Sequence, residues 1–287
     1  MSGAKSANLD QIDYWNGDAG QTWTRNQARL DRVLTPVTEA IVAAAGPKPG
    51  ETALDIGCGC GDTTLALARA ASPSGRVTGV DISAPMLARA GERLTEAGLK
   101  AELIEADAAT HRFAAGTFDL VFSRFGVMFF DEPAAAFANI RKGMKADARL
   151  VFACWRPLGE NDWMLKPLLA ALAHLAPPEP PAPLAPGPFA FAEPDYVRDL
   201  LAQAGFRDIS LSPLDVELRL AEAGKDALAE AVTFTLEIGP LARALKEEPS
   251  VEKREAATAA IRREFENHIS ADGIALKGAC WMVTAKA

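Results

Sequence analysis

The stretch LDIGCGCGDTT, residues 54 to 64, places glycines at alternate positions directly after a short apolar run. These glycines are Gly57, Gly59 and Gly61. Positions without a side chain let a ligand lie against the backbone. A dinucleotide fingerprint has its third glycine three positions after the second, and Asp62 stands there instead. Asp55, which closes the apolar run, suits a ligand with a cationic amine better than one with phosphates.

Two further carboxylates stand where the next two predicted strands end. Asp81 closes VTGVDIS, close to the distance of about twenty residues beyond a glycine loop at which an acidic side chain meets a ribose diol. In EADAA, the Asp107 side chain and the Ala108 backbone are placed to bind an adenine edge, with Ile82 and Met86 as apolar contacts. Together with the glycine loop, these positions predict an adenosine attached to a charged amino acid.

The elements that must position these residues alternate between residues 51 and 155. Short apolar runs predict strands and longer amphipathic runs predict helices. This alternation is typical of an α/β fold with a parallel, doubly wound sheet, whose ligands bind beyond the carboxyl ends of the strands. Asp62 or Thr63 is expected to cap the helix after the glycine loop.

The flanking segments predict a cover over that edge of the sheet. Residues 1–49 are expected to form an N-terminal helical cover, and residues 50–287 to form the ligand-binding domain. Within this domain, cap segments are expected at about 156–194 and 221–270, the second largely helical. The proline-rich residues 176–194 predict an extended covering loop, since proline disfavours helix interiors and central strands.

Composition limits the partners. The 287 residues carry 30 Lys and Arg against 38 Asp and Glu, a net charge of −8, which argues against nucleic-acid binding. No stretch is long and apolar enough to span a membrane, and no secretory signal is recognisable, so we expect a soluble, cytoplasmic protein. The four cysteines and three histidines lack metal-site spacing, so we expect reduced thiols and no metal.

At these motifs the sequence resembles the class I S-adenosylmethionine-dependent methyltransferases. Their D-x-G-x-G-x-G loop corresponds to Asp55 to Gly61, and their acidic end of strand two to Asp81. FDLVFSRFGVMFF is similar to the F-D-x-V-x-S-x-F-G pattern of the ubiquinone and menaquinone biosynthesis methyltransferases and their small-molecule relatives. The resemblance implies a Rossmann-like sheet of seven strands with the last antiparallel. It also implies S-adenosyl-L-methionine as cofactor and S-adenosyl-L-homocysteine as product.

The expected cofactor contacts combine these motifs with the N-terminal cover. In the resembled family that cover folds over the cofactor, so we expect Tyr14, Trp15 or Trp23 to touch it, and Ser123 is expected to offer its backbone carbonyl. The expected contacts are Trp23, Asp55, Gly57, Cys58, Gly59, Asp81, Ile82, Met86, Asp107, Ala108 and Ser123.

Methyl transfer from a sulfonium proceeds by in-line displacement, for which positioning supplies much of the acceleration. A hydroxyl acceptor would gain from a general base, whereas a neutral amine or a carboxylate needs less help. His111 is the candidate base, with a surface loop histidine as the alternative. Arg124 is a candidate for holding a substrate carboxylate, with a structural ion pair as the alternative.

The acceptor is predicted to be a small aromatic or otherwise hydrophobic molecule. The residues expected to contact it are Phe125, Met128, Phe129, Trp155 and Trp163. Methylation of protein or RNA is less favoured, because no basic cluster is evident and the N/D-P-P-Y-type motif is missing after strand four, where SRFG stands. A protein that binds the cofactor without transferring its methyl group remains an open alternative, as do the methylated atom and the oligomeric state.

Overall fold

The computed structural model describes residues 8–175, 182 and 184–287. The strands are β1 (Thr52–Ile56), β2 (Arg76–Asp81), β3 (Glu102–Glu105), β4 (Phe118–Arg124), β5 (Met144–Trp155), β6 (Arg207–Glu222), β7 (Ile269–Ser270) and β8 (Gly273–Lys286). The helices are α1 (Leu9–Asn16), α2 (Asp18–Arg25), α3 (Gln27–Ala45), α4 (Asp62–Ala71), α5 (Ala84–Glu96), α6 (Pro133–Gly143), α7 (Asp162–Leu172), α8 (Pro194–Gln203), α9 (Ala227–Glu237), α10 (Pro240–Glu247) and α11 (Val251–Glu266).

The strands form one mixed sheet in the order β3-β2-β1-β4-β5-β8-β6. Strands β1 to β5 pair in parallel, and β8 runs antiparallel to both β5 and β6. The predicted mainly parallel sheet with an antiparallel last strand is therefore confirmed. The two-residue strand β7, which pairs with β8, was not predicted. Strand order reverses between β1 and β4, and ligands of such sheets bind at that reversal.

The central strands are apolar because helices cover both faces of the sheet. Leu54 of β1 and Phe122 of β4 are fully buried, as are Val37 and Ile41 of α3. This packing fixes the backbone of β1 and β4, so their carboxyl ends open side by side.

Two local expectations need correction. Gly61, not Asp62 or Thr63, is the residue before α4, and no side chain caps this helix. The Thr63 hydroxyl instead donates to Asp55 Oδ2 at 2.7 Å. Strand β6 continues to Glu222, so the helical part of the second cap segment begins at Ala227.

The predicted proline-rich loop lies partly outside the described residues, at 176–181 and 183. Its later part packs on the sheet: Phe191 is buried, and the Trp281 Nε1–H of β8 donates to the Ala192 carbonyl at 2.8 Å. Across the described parts of the chain, no helix has the length and apolar character needed to cross a membrane.

The glycine loop offers a stability test with a matched control. Gly57 has φ +65° and an added Cβ would lie 2.6 Å from Gly126 Cα, whereas Gly98 has φ +64° and open space around it. In both alanine variants the left-handed backbone conformation costs about 1–2 kcal/mol. Only Gly57→Ala adds a clash with the backbone of Gly126. We expect Gly57→Ala to lower the free energy of unfolding by about 2 kcal/mol more than Gly98→Ala, measured by urea denaturation. Equal losses would contradict the close approach.

Candidate functional site

The glycine loop adopts a backbone that other residues rarely tolerate. Gly57, Gly59 and Gly61 all have positive φ, at +65°, +51° and +84°. A Cβ on Gly59 would come within 2.8 Å of Met86 Cε, a neighbour on α5. The glycines thus allow both the left-handed turn and the close packing of α5 against the loop.

Asp81 joins the glycine loop to the β2–α5 turn. Its Oδ2 accepts the Gly59 N–H at 2.8 Å and its Oδ1 accepts the Ser83 N–H at 2.9 Å. Burial raises the pKa of the Asp81 carboxyl, and hydrogen bonds from the backbone oppose that rise. Asp81 also lines the main cavity. A carboxylate held in this way presents its remaining lone pairs to a ligand hydroxyl in a fixed direction.

Asp55 and Ser123 lie beneath the loop and do not line the cavity. Asp55 is fully buried, and its Oδ2 accepts the Thr63 and Thr64 hydroxyls at 2.7 and 2.6 Å. The Ser123 hydroxyl donates to the Ile56 carbonyl at 2.8 Å, which ties the end of β4 to β1. Both side chains therefore hold the loop in place. The Asp55 Oδ1 has no protein partner, and its contact with a ligand amine stays a prediction.

Helix α1 is fastened to the same turn that carries Asp81. The Asn16 side chain donates to the Ile82 carbonyl at 2.8 Å and accepts the Ala84 N–H at 3.0 Å. The Ser83 hydroxyl donates to the Trp15 carbonyl at 2.7 Å. The N-terminal helices consequently close one side of the cavity.

The main cavity runs from the glycine loop to the cap helices and brings most of the predicted site residues together. The predicted residues in its wall are Trp23, Gly57, Cys58, Gly59, Asp81, Ile82, Met86, Asp107, Ala108, Arg124, Phe125, Met128, Phe129, Trp155 and Trp163. Trp15 lines the cavity as well, whereas Tyr14 is half exposed and does not.

The far end of the cavity is a cluster of apolar side chains that we call the acceptor chamber. Its walls are Phe125, Met128, Trp155, Trp163, Met164 and Phe234. Phe125 has φ +66°, a strained conformation for a residue with a bulky side chain. Its ring stacks on Trp155 with centroids 4.1 Å apart and planes 9° apart. Trp155 in turn contacts Trp163, and Trp163 contacts Phe234, so the aromatic wall is continuous.

Arg124 belongs to an ion cluster rather than standing free. Its Nη1 lies 2.6 Å from Asp62 Oδ2 and 2.5 Å from the Thr38 hydroxyl. Beside this pair, Arg93 Nη2 lies 2.7 Å from Asp31 Oδ2. Burial, followed by repulsion from Asp62, raises the pKa of Asp31. The geometry thus favours the structural alternative for Arg124.

His111 is placed outside the cavity wall. Its ring packs edge-on against Phe113 at 4.8 Å between centroids, and its backbone carbonyl accepts a hydrogen bond from the Asn139 side chain at 2.8 Å. This position favours the alternative, a loop histidine, over a base that faces the acceptor.

Sequence reasoning missed the wall that α3 contributes. Gln27, Leu30, Asp31 and Leu34 line the cavity at a spacing that puts them on one helix face. The polar Gln27 and Asp31 within an otherwise apolar face were the available signal. Phe234 of α9 gave no signal, because its neighbours come from distant parts of the chain.

The residues at the glycine-loop end fit an S-adenosylmethionine molecule. Bare backbone at Gly57 and Gly59 suits the amino-acid part, and Asp81 suits the ribose diol. Asn8 lines the cavity, donates to Asp107 Oδ2 at 3.2 Å, and has a buried Oδ1 without a partner in the protein. Such an acceptor is costly to leave unpaired, and the exocyclic amino group of an adenine would pair it.

Comparisons with known proteins agree with this geometry. A family described as a methyltransferase domain matches residues 53–147. A nocamycin O-methyltransferase from Saccharothrix syringae is 30% identical over 197 residues, which cover 66% of this chain and 70% of that protein. A ubiquinone/menaquinone biosynthesis C-methyltransferase from Burkholderia vietnamiensis is 35% identical over 121 residues, 41% of this chain and half of that protein's length.

A solved structure of a Haemonchus contortus phosphoethanolamine N-methyltransferase in complex with S-adenosyl-L-methionine shares the fold. Its TM-score is 0.57 at 17% identity, with 99% of this chain and 60% of that chain covered.

Replacing Asp81 tests the ribose contact. Asp81→Asn removes the charge and puts an amide donor near the ribose hydroxyls, so we expect S-adenosylmethionine to bind more weakly by about 1.5–3 kcal/mol in calorimetry. Asp119→Asn is the matched control, because Asp119 pairs with Lys145 and does not line the cavity. Equal affinities for the two variants would contradict the ribose contact.

Asp55 makes stability depend on pH. Burial raises the pKa of Asp55 from 3.8 to about 6, so between these values the unfolded chain has lost a proton that the folded chain retains. The contribution of this group to the free energy of unfolding therefore falls by about 3 kcal/mol as pH rises through that range. Asp55→Asn cannot titrate. We expect the stability difference between wild type and variant to shift by most of that amount between pH 4 and pH 7 in urea unfolding without cofactor; a constant difference would refute the burial effect.

Proposed function

The chain belongs to the class I S-adenosylmethionine-dependent methyltransferases, and on this premise we propose that it methylates a small, largely apolar molecule held in the acceptor chamber. The observation that carries the proposal is the continuity of one cavity, which has carboxylates and bare backbone at one end and stacked aromatic rings at the other. Such a cavity suits two ligands placed end to end, one of them polar and the other apolar.

The cofactor supplies a methyl group on a positively charged sulfur. At its end of the cavity, Asp81 would hold the ribose, Asp107 and Asn8 the adenine edge, and the backbone at Gly57 and Gly59 the amino-acid part. Ile82 and Met86 would contact the faces of the adenine. These contacts would fix the direction in which the methyl group points, and fixed orientation lowers the barrier of a displacement reaction.

The acceptor chamber would orient the second molecule and exclude water. Its stacked rings offer flat apolar surfaces, which favour a planar or hydrophobic acceptor. Helices α1 to α3 and α9 would shield the reacting atoms from solvent. The relatives described above are named for methylation of oxygen and of carbon in small molecules. The bound acceptor, and not the fold, would therefore determine which atom is methylated.

The net charge also supports a small-molecule acceptor. The net charge of −8 disfavours binding to the phosphate backbone of nucleic acids.

The cysteines support a cytoplasmic location, which we also propose. Cys58, Cys60, Cys154 and Cys280 are buried free thiols, and thiols stay reduced in the cytoplasm.

Methyl transfer is tested with tritium-labelled S-adenosylmethionine and a panel of planar phenols, quinols, aryl acids and aryl amines. We expect label in at least one extracted product, a clear loss of transfer in Asp81→Asn at limiting cofactor, and retained transfer in Asp119→Asn. Tight cofactor binding without transfer to any member would instead favour the alternative, a binding protein that does not methylate.

A further inference from the structure

Trp163 brings an unused hydrogen-bond donor to the acceptor chamber. Its ring lines the cavity, the residue is only 8% exposed, and its Nε1–H is buried without a partner in the protein. An indole N–H can only donate. A buried donor left unpaired is destabilising, so the molecule that completes this site must supply an acceptor atom.

The acceptor chamber lacks a base of its own. None of its six wall residues titrates near neutral pH. The aspartates in the described cavity wall are Asp31, Asp62, Asp81 and Asp107, and all lie in the ion cluster or at strand ends on the cofactor side. A neutral hydroxyl or an ammonium ion would need to lose a proton during methylation, and no chamber side chain can take it.

Arg29 brings a positive charge close to one wall of the acceptor chamber. The Arg29 guanidinium lies 5.8 Å from the centroid of the Phe234 ring, behind one wall of the chamber. A cation in that position stabilises a negative charge inside the chamber and repels an ammonium ion. The positive sulfur of the cofactor acts in the same direction.

From these three observations we propose that the acceptor is a planar oxygen acid that enters already ionised, with one oxygen accepting a hydrogen bond from Trp163 Nε1–H. Two classes of compound meet this description, the aryl carboxylates and the acidic enols, and both carry a delocalised oxyanion. The inference rests on the proposed methyltransferase function. The acceptor oxygen gives an electron pair to the methyl carbon, while the pair of the broken carbon–sulfur bond stays on sulfur. Both products are neutral at the reacting atoms, and no proton moves, so no base is needed.

Binding of matched bicyclic probes tests the proposal without turnover. Calorimetry on the protein saturated with S-adenosylhomocysteine would compare 2-naphthoate and 2-hydroxy-1,4-naphthoquinone with neutral 2-naphthalenemethanol and cationic 2-naphthylmethylamine. We expect at least one acid to bind about tenfold more tightly than either control. Which acid binds distinguishes the carboxylate from the enol. Preference for the alcohol or amine, or no binding by any probe, overturns the proposal.

Variants separate the N–H from the bulk of the ring. Trp163→Phe keeps an aromatic ring and removes the donor, so the affinity ratio of acid to amine should fall about tenfold. Trp281→Phe makes the same substitution outside the cavity, where the indole N–H is bound by the Ala192 carbonyl, and should leave that ratio unchanged. An equal change in both variants would reduce Trp163 to a packing role and overturn its assignment.

Methyl transfer to the same probes keeps the two proposals apart. If the protein methylates the alcohol or the amine in preference to the acids, the oxygen-acid inference fails while the proposed function stands. If it does not bind S-adenosylmethionine at all, the proposed function fails.

Discussion

The hydrogen bond from the Gly59 N–H to the Asp81 carboxylate is the contact on which the site depends. It joins the loop after β1 to the end of β2, two neighbouring strands whose parallel pairing already aligns their carboxyl ends. The same carboxylate accepts the Ser83 N–H, so one buried group fixes both turns. Because desolvation of a charged group must be offset by such hydrogen bonds, the turns and the carboxylate stabilise one another.

The cover depends on the same turn. Helix α1 contacts it through the Ser83 hydroxyl and the Asn16 side chain, and Asn8 reaches Asp107 at the end of the next strand. Closure of the cavity and formation of the proposed cofactor contacts therefore involve the same residues. This arrangement couples order in the N-terminal helices to order in the turn that carries Asp81.

The cavity is divided electrostatically. Carboxylates and guanidinium groups occupy the side near the glycine loop, where Arg124 pairs with Asp62 and Arg93 with Asp31. Directly after Arg124, the strained backbone of Phe125 turns its ring onto Trp155. One short segment thus marks the change from ionic to aromatic walls. Such a division would suit a charged cofactor beside an apolar acceptor, as proposed.

The sequence by itself determined the alternation of strands and helices and the position of the glycine loop, because periodicity and glycine spacing are local properties of the chain. The antiparallel last strand was expected only from the family resemblance, because periodicity gives no strand order. Most of the site residues that the sequence predicted line the cavity, since the end of each strand is recognisable from a few neighbours. Only the tertiary structure decided which polar side chains are already paired with other groups of the protein. Arg124 pairs with a residue 62 positions away, Asp55 is bound by two threonine hydroxyls, and the His111 ring packs on Phe113. The polar face of α3 and Phe234 of α9 likewise reach the site only when distant segments pack, and no local pattern encodes which faces will meet.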